Sequence, residues 1–458
     1  MKPLLLAFGF ALLALPSFLF AADDRANGLA AFAASNWKDA YLLLSAAHQS
    51  APSDRDVSLK AYHAAMAYAK DLLATQRHQE ALTVCEWAST IDPELVPESF
   101  RFLVSHNKGM AELGLGKIDS AIRSFLQAKE LSSNPTTLQA LGVAYSKKED
   151  WSNAVSMFTQ CLRSGGKPDL SLFQGLAHAA YQAGDTGKAL EWVRQGILAF
   201  PSDPTLLALD AKYRRENRTE ERMRESTGLN FDVKFEDLSE QQDLRSKILR
   251  ALDEAYQSVT RDFSFYPDKN VRVVIYPSSV DFSSGSGAPN WAAANFDGKI
   301  RIPVGAAQGS DDSLRRIVTH EFTHFIIDKV SKQNCPAWLH EGLAQVQEKN
   351  EKGWASAVLR RYMGHKKTRE QMMDLKTLEG SFLSISDPER ASLAYAESYL
   401  VTKYIIGQYG MFKVSQILED LAGGSSISDA LYGRLAVDSS ELQRRWMTSF
   451  AEEFHLDW

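Results

Sequence analysis

The feature that most limits the fold of this chain is a spacing that recurs through its first half. Ala40, Ala81 and Ala189 are each followed twelve positions later by a proline, at Pro52, Pro93 and Pro201. Ala121 and Ala154 keep the small residue, and their prolines slip by two, to Pro135 and Pro168. Twelve positions before these five alanines lie Gly28, Ala69, Gly109, Gly142 and Ala177. Matched small residues on two consecutive helices let their backbones approach, and a proline beyond the second stops it from continuing. The alanines are 41, 40, 33 and 35 residues apart, a period of helix pairs that stack because one pair cannot bury its apolar face alone.

These spacings resemble the tetratricopeptide repeat. The fourth unit is the fullest, with Leu141, Gly142, Tyr145, Ala154 and Phe158. The resemblance covers about residues 25 to 205 and implies an all-α superhelix over residues 23–213. Its concave face would hold a protein partner or substrate, with a plain spacer as the alternative. His48, His63, His78, His106 and His178 are scattered through it without ligand spacing.

Ahead of the repeats, Met1-Lys2 precedes an apolar run from Leu4 to Phe20, broken by Pro16 and closed by Ala21-Ala22-Asp23-Asp24. One positive charge, a short apolar stretch and small residues before an acidic start read as a signal peptide over residues 1–22. An uncleaved anchor is the alternative. The expectation is an exported protein, periplasmic or secreted, with no transmembrane helix after cleavage. Cys85, Cys161 and Cys335 are too few, and odd in number, for a disulfide framework, so packed cores must hold the fold. With 51 basic and 57 acidic residues the formal charge is −6 and no basic stripe occurs, which argues against nucleic acid as a partner.

The mixed-charge run Arg214 to Arg222 reads as a solvated helix or linker, and the domain boundary is placed there, with a charged linker over 214–228. The remainder, 229–458, is expected to fold by itself. Phe231, Val233 and Phe235 alternate as in a strand, Leu244 to Phe263 is amphipathic, and Val271 to Tyr276 is a buried strand. A Ser/Gly-rich loop from Ser278 to Asn290 precedes Lys299 to Val304, a strand whose Pro303 suits a sheet edge. From Asp311 onward the pattern is helical almost to the end. Strands before helices predict an α+β domain.

The chemistry lies in His320-Glu321-Phe322-Thr323-His324. Histidines four apart on a helix lie about 40° apart around its axis, so both imidazoles can meet one metal ion. Glu321 can reach a metal-activated water without occupying a coordination position, and act as general base. The flanking Ile317, Val318, Phe322, Phe325 and Ile326 bury the other faces of the helix. Such a site needs a third protein ligand. A glycine and a histidine at 327 and 330, as metzincins require, are replaced by Ile327 and Val330. A second helix follows with Pro336-Ala337-Trp338-Leu339-His340-Glu341-Gly342-Leu343-Ala344, near which His340, Asp328 and Cys335 are the other possible donors.

Here the sequence resembles the gluzincin metallopeptidases, most closely the peptidase MA-like families. The resemblance rests on the HExxH string and the Trp-Leu-x-Glu-Gly-x-Ala segment, and extends over about residues 229 to 458. It implies one catalytic zinc ion held by His320, His324 and Glu341. It also implies an edge strand that binds substrate backbone, a part given to Lys299 to Val304. A tyrosine or histidine that steadies the oxyanion is implied too; Tyr395, in Leu393 to Tyr399, is the candidate, with Tyr399 as alternate. Thermolysin-like enzymes carry an aspartate four residues after the third ligand, where this chain has Gln345. The function expected is hydrolysis of peptide bonds in a protein or peptide substrate. The rival is a scaffold or assembly factor that keeps a zinc-binding peptidase-like module without turnover.

Overall fold

A computed structural model describes residues 15–165, 169–235, 242–287, 295–307, 309–364, 372–382 and 385–456. Two compact units divide the chain, Met1–Arg214 and Arg215–Trp458. Most of the apolar N-terminal run assigned to a signal peptide lies outside the described residues, which begin within the helix Leu15–Ala33. Among the described residues no helix is long and apolar enough to cross a membrane.

Among the described residues the first unit has helices and no strand. Its helices pair as Leu15–Ala33 with Trp37–Ser50, Arg55–Ala74 with His78–Ala88, and Glu98–Gly114 with Ile118–Leu131. Pro135–Lys147 with Trp151–Arg163 and Leu170–Gln182 with Thr186–Ala199 complete the series. The repeating small residues sit where the pairs touch. Ala40, Ala81, Ala121, Ala154 and Ala189 are fully buried. A β-carbon on Gly109 would come within 2.6 Å of the Phe125 ring, and one on Gly142 within 2.5 Å of the Phe158 ring. Only glycine leaves room for the facing phenylalanine, which is why the two residue types recur together. Side-chain oxygens of Asn36, Asp54, Asn134, Asp150, Asp169 and Asp185 cap helix N-termini along the array.

The second unit combines a small sheet with a large helical part. Strands β1 (Arg224–Thr227), β2 (Phe231–Phe235), β3 (Val271–Tyr276), β4 (Asn295–Phe296) and β5 (Ile300–Pro303) lie in the order β1-β2-β3-β5-β4. The pairs β2–β3 and β3–β5 are parallel, and β1–β2 and β4–β5 antiparallel. The helix Gln242–Phe263 makes the crossover that the parallel β2–β3 pair requires. One core joins Phe231, Val233, Val273, Ile275, Ile300 and Ile302 of the sheet to Ile248, Leu252 and Val259 of that helix. Val318, Phe322 and Ile326 of the HExxH helix enter the same core.

Three local expectations are corrected. The strand at Ile300–Pro303 is not the sheet edge, because β4 pairs with it through Asn295↔Arg301 and Phe296↔Ile300. Part of the predicted Ser/Gly-rich loop is the helix Ser279–Ser286, capped by Ser278 and ended by Gly287 in the left-handed conformation; 288–290 lie outside the described residues. The mixed-charge run at 214–222, read as a solvated helix or linker, is mostly helix and is not solvated throughout. The helix Pro204–Glu220 carries most of it, and β1 starts at Arg224. Glu216 and Glu220 are buried, with Lys299 Nζ 3.1 and 3.4 Å from their carboxylates. The fully buried Arg301 reaches the same two groups at 3.0 Å each, and Asp297 at 2.8 Å. Tyr276 hydroxyl lies 3.2 Å from Glu220 Oε1. Buried charges survive only when paired in this way.

Candidate metal centre

The HExxH string occupies the middle of the helix Asp311–Ser331, called the motif helix below. Ser310 caps it by accepting the Ser313 N–H, and Asp311 and Asp312 in its first turn suit the positive end of the dipole. Phe322 stacks on Tyr256 and Phe325 and meets Phe231 edge-on, which fixes the rotation of the helix. With Val318, Phe322 and Ile326 turned into the core, helical geometry directs His320 and His324 the other way.

Lys332 and Gln333, both with positive φ, turn the chain back, and Pro336 opens the return helix Ala337–Gln347. Its first free N–H groups, on Ala337 and Trp338, donate to the carbonyls of Glu379 and Leu378, 3.0 Å each. Trp338, Leu339 and Leu343 are buried. A β-carbon at Gly342 would collide with Thr402 Oγ1 and the Ser398 carbonyl, so glycine is what lets this helix lie against Pro388–Tyr409. That close approach sets the height at which Glu341 arrives.

His320, His324 and Glu341 converge. The two Nε2 atoms are 3.1 Å apart, and each is 3.8 Å from Glu341 Oε2. A tetrahedral ion with bonds of about 2.1 Å spaces its ligand atoms about 3.4 Å apart. The observed separations bracket that value, and two imidazoles with one carboxylate leave a fourth position open, as catalytic zinc requires. The residues present fit the ion.

Without a cation between them these groups perturb one another. Burial pushes the Glu321 carboxyl up to about 7; His320 opposes, while Glu341 and Glu348 add to the rise. Burial raises Glu341 as well. His324 is held well below the usual imidazole range by burial, then by His320 and His340. Burial works against a charged His320, but the hydrogen bond to Glu348 and the nearby carboxylates outweigh it and carry it up to about 9.

Comparison with known proteins identifies the region. Residues 253–452 match the Peptidase MA superfamily. Residues 104–135 match a tetratricopeptide repeat. Solved structures similar to this chain include pilF of Pseudomonas aeruginosa, at 18% identity over 43% of this chain and 99% of that one, TM-score 0.29. MamA of Desulfovibrio magneticus shares 16% over 40% and 97%, TM-score 0.32. PilW, a type IV pilus biogenesis factor, shares 14% over 41% and 97%, TM-score 0.30. No curated protein matches.

Within the Peptidase MA domain the remaining candidates separate clearly. Asp328 and His340 pair with each other, Oδ1 to Nε2 at 3.0 Å, outside the triad. Burial, with Asp328 adding, pushes the Cys335 thiol well up, which leaves it a poor ligand and a poor nucleophile. Tyr395 packs edge-on against Phe382, and burial followed by Glu341 and Glu321 raises its hydroxyl to about 12, so that hydroxyl stays protonated within the field of both carboxylates. Tyr399 is buried with Ala355 and Ala396. Gln345, at the position where thermolysin-like enzymes have an aspartate, donates to the Tyr395 carbonyl at 3.2 Å and so ties the return helix to the tyrosine.

One partner escaped the sequence reading. Glu348, the C-cap of the return helix, lies 2.9 Å from His320 Nδ1 and is itself held by Lys352 at 2.8 Å. The available signal was its spacing, seven residues after Glu341, which is two helical turns along the same face.

Proposed function

We propose that this chain is an exported zinc-dependent peptidase of gluzincin type, which uses the repeat unit to hold a protein substrate or partner. The observation that carries this reading is the convergence of His320, His324 and Glu341 at ligand spacing in a Peptidase MA domain. Zinc, when bound, supplies Lewis acidity that makes water a nucleophile near neutral pH and polarises a peptide carbonyl. The two histidines and Glu341 would hold the ion. Glu321, adjacent to His320 yet outside the ligand set, takes the proton from the attacking water and delivers it to the departing amine. Tyr395 donates its hydroxyl to the oxyanion. Glu348 keeps Nδ1 of His320 hydrogen-bonded, so that Nε2 faces the ion. Export is supported by the apolar run Leu4 to Phe20 and the small residues that follow it.

The test is cleavage of a mixed peptide library by the full chain loaded with zinc, beside Glu321→Gln. The glutamine cannot accept the proton, so the variant should keep zinc and lose turnover. Equal cleavage by both would remove Glu321 from the mechanism. Zinc binding with no cleavage of any library or exported protein would favour the scaffold reading.

A further inference from the structure

The two ligand histidines are supported in different ways. His320 has its outer nitrogen fixed by Glu348 at 2.9 Å. His324 has none of this: its Nδ1 is buried and has no hydrogen-bond partner among the described residues. A ligand imidazole whose plane is free to turn carries its Nε2 lone pair away from the ion, so some other restraint must act on this ring. It is found on the ring face. His340 lies flat over His324, ring centroids 4.6 Å apart and planes 11° from parallel. Nε2 of His340 is held by Asp328 Oδ1 at 3.0 Å. Asp328 follows His324 by four residues on the motif helix, and His340 precedes Glu341 on the return helix. The stacked ring is thus tethered to the helix that carries His324 while standing on the helix that carries the third ligand.

We infer that His340 is a positioning residue, which fixes the plane of His324 by stacking and is itself anchored by Asp328. The inference rests on the zinc reading above and deepens it. Parallel, offset aromatic rings resist rotation of either partner, and here the stack stands in for the missing hydrogen bond. The role depends on the flat face of residue 340 and not on its nitrogens reaching the ion.

The experiment measures zinc affinity of the full chain by competition with a chromophoric chelator, and the visible spectrum of the cobalt-loaded chain. His340→Ala should weaken zinc about 10- to 100-fold and alter the cobalt band, as loss of outer support does in other metal sites. His340→Phe, which keeps a flat ring but loses the tether to Asp328, should weaken zinc less than His340→Ala and about as much as Asp328→Ala. Asp328→Ala, which leaves the ring but removes its tether, should shift affinity in the same direction as His340→Ala. A purely structural role would lower the melting temperature without moving zinc affinity or the cobalt spectrum, and that result overturns the inference. Equal weakening by His340→Ala and His340→Phe also overturns it, because the ring face would then contribute nothing to zinc affinity. A parent chain that binds no zinc sinks the zinc reading and takes this inference with it.

Discussion

Nδ1 of His320 and Oε1 of Glu348 stand 2.9 Å apart, with the carboxylate fixed from its far side by Lys352. This contact sets which nitrogen of His320 faces Glu341 and His324. Glu348→Ala should leave the fold intact and weaken zinc about 10- to 100-fold, the usual cost of losing such a partner. A chelator competition on parent and variant reads this directly. Undiminished affinity would mean that packing alone orients the ring.

A second prediction concerns where the second unit can begin. A chain starting at Gly228 removes Glu216 and Glu220, the carboxylates that pair with Lys299 and Arg301. Breaking a buried pair from one side costs roughly 3–5 kcal/mol, comparable to much of a domain's net stability. Such a chain should fold poorly, whereas one starting at Pro204, which keeps the whole helix, should melt cooperatively and bind zinc. Equal melting temperatures for the two would contradict the importance of this cluster.

Stability should also carry a pH signature from Glu397. Its side chain is fully buried, with Oε1 accepting the Met373 N–H at 3.1 Å and Oε2 without a partner among the described residues. Burial lifts its carboxyl from an ordinary 4.5 to about 8, against the opposing pull of the Met373 N–H and Arg390. Between those two values the folded chain keeps a proton that the unfolded chain releases, so stability falls as pH rises through the window. At ~1.4 kcal/mol per pK unit the loss reaches a few kcal/mol at most. Glu397→Gln should flatten the decline of melting temperature between about pH 5 and about pH 8. Parallel curves for parent and variant would rule Glu397 out as the source.

Tyr395→Phe tests the oxyanion role. Loss of one such donor costs about 3 kcal/mol, on the order of a hundredfold in kcat. Zinc content should not change, since Tyr395 is no ligand. An unaltered kcat would return Tyr395 to the packing around Phe382.

What could be read from the sequence was whatever periodicity enforces. Histidines at 320 and 324 share a helix face by geometry. The repeat spacing similarly marked Gly109 and Gly142 as points of close helix approach, and the structure shows Phe125 and Phe158 filling them. Charge runs were opaque. Arg214 to Arg222 read as solvated, and Glu348 drew no reading at all, because composition does not say which carboxylates find buried partners. Glu348 turned inward to His320, and Glu216 and Glu220 to Lys299 and Arg301. Strand order was hidden for a different reason. The two-residue β4 is too short to leave a pattern, yet it alone moves β5 off the edge.

Metal content decides whether Glu341 completes a zinc site with His320 and His324. The full chain and Glu341→Ala are dialysed against a weak chelator, and zinc per chain is measured while circular dichroism confirms that both remain folded. The account predicts about one zinc per parent chain and almost none in the variant, since two histidines from one helical turn hold the ion poorly. A folded Glu341→Ala chain that keeps the parent's zinc would contradict it.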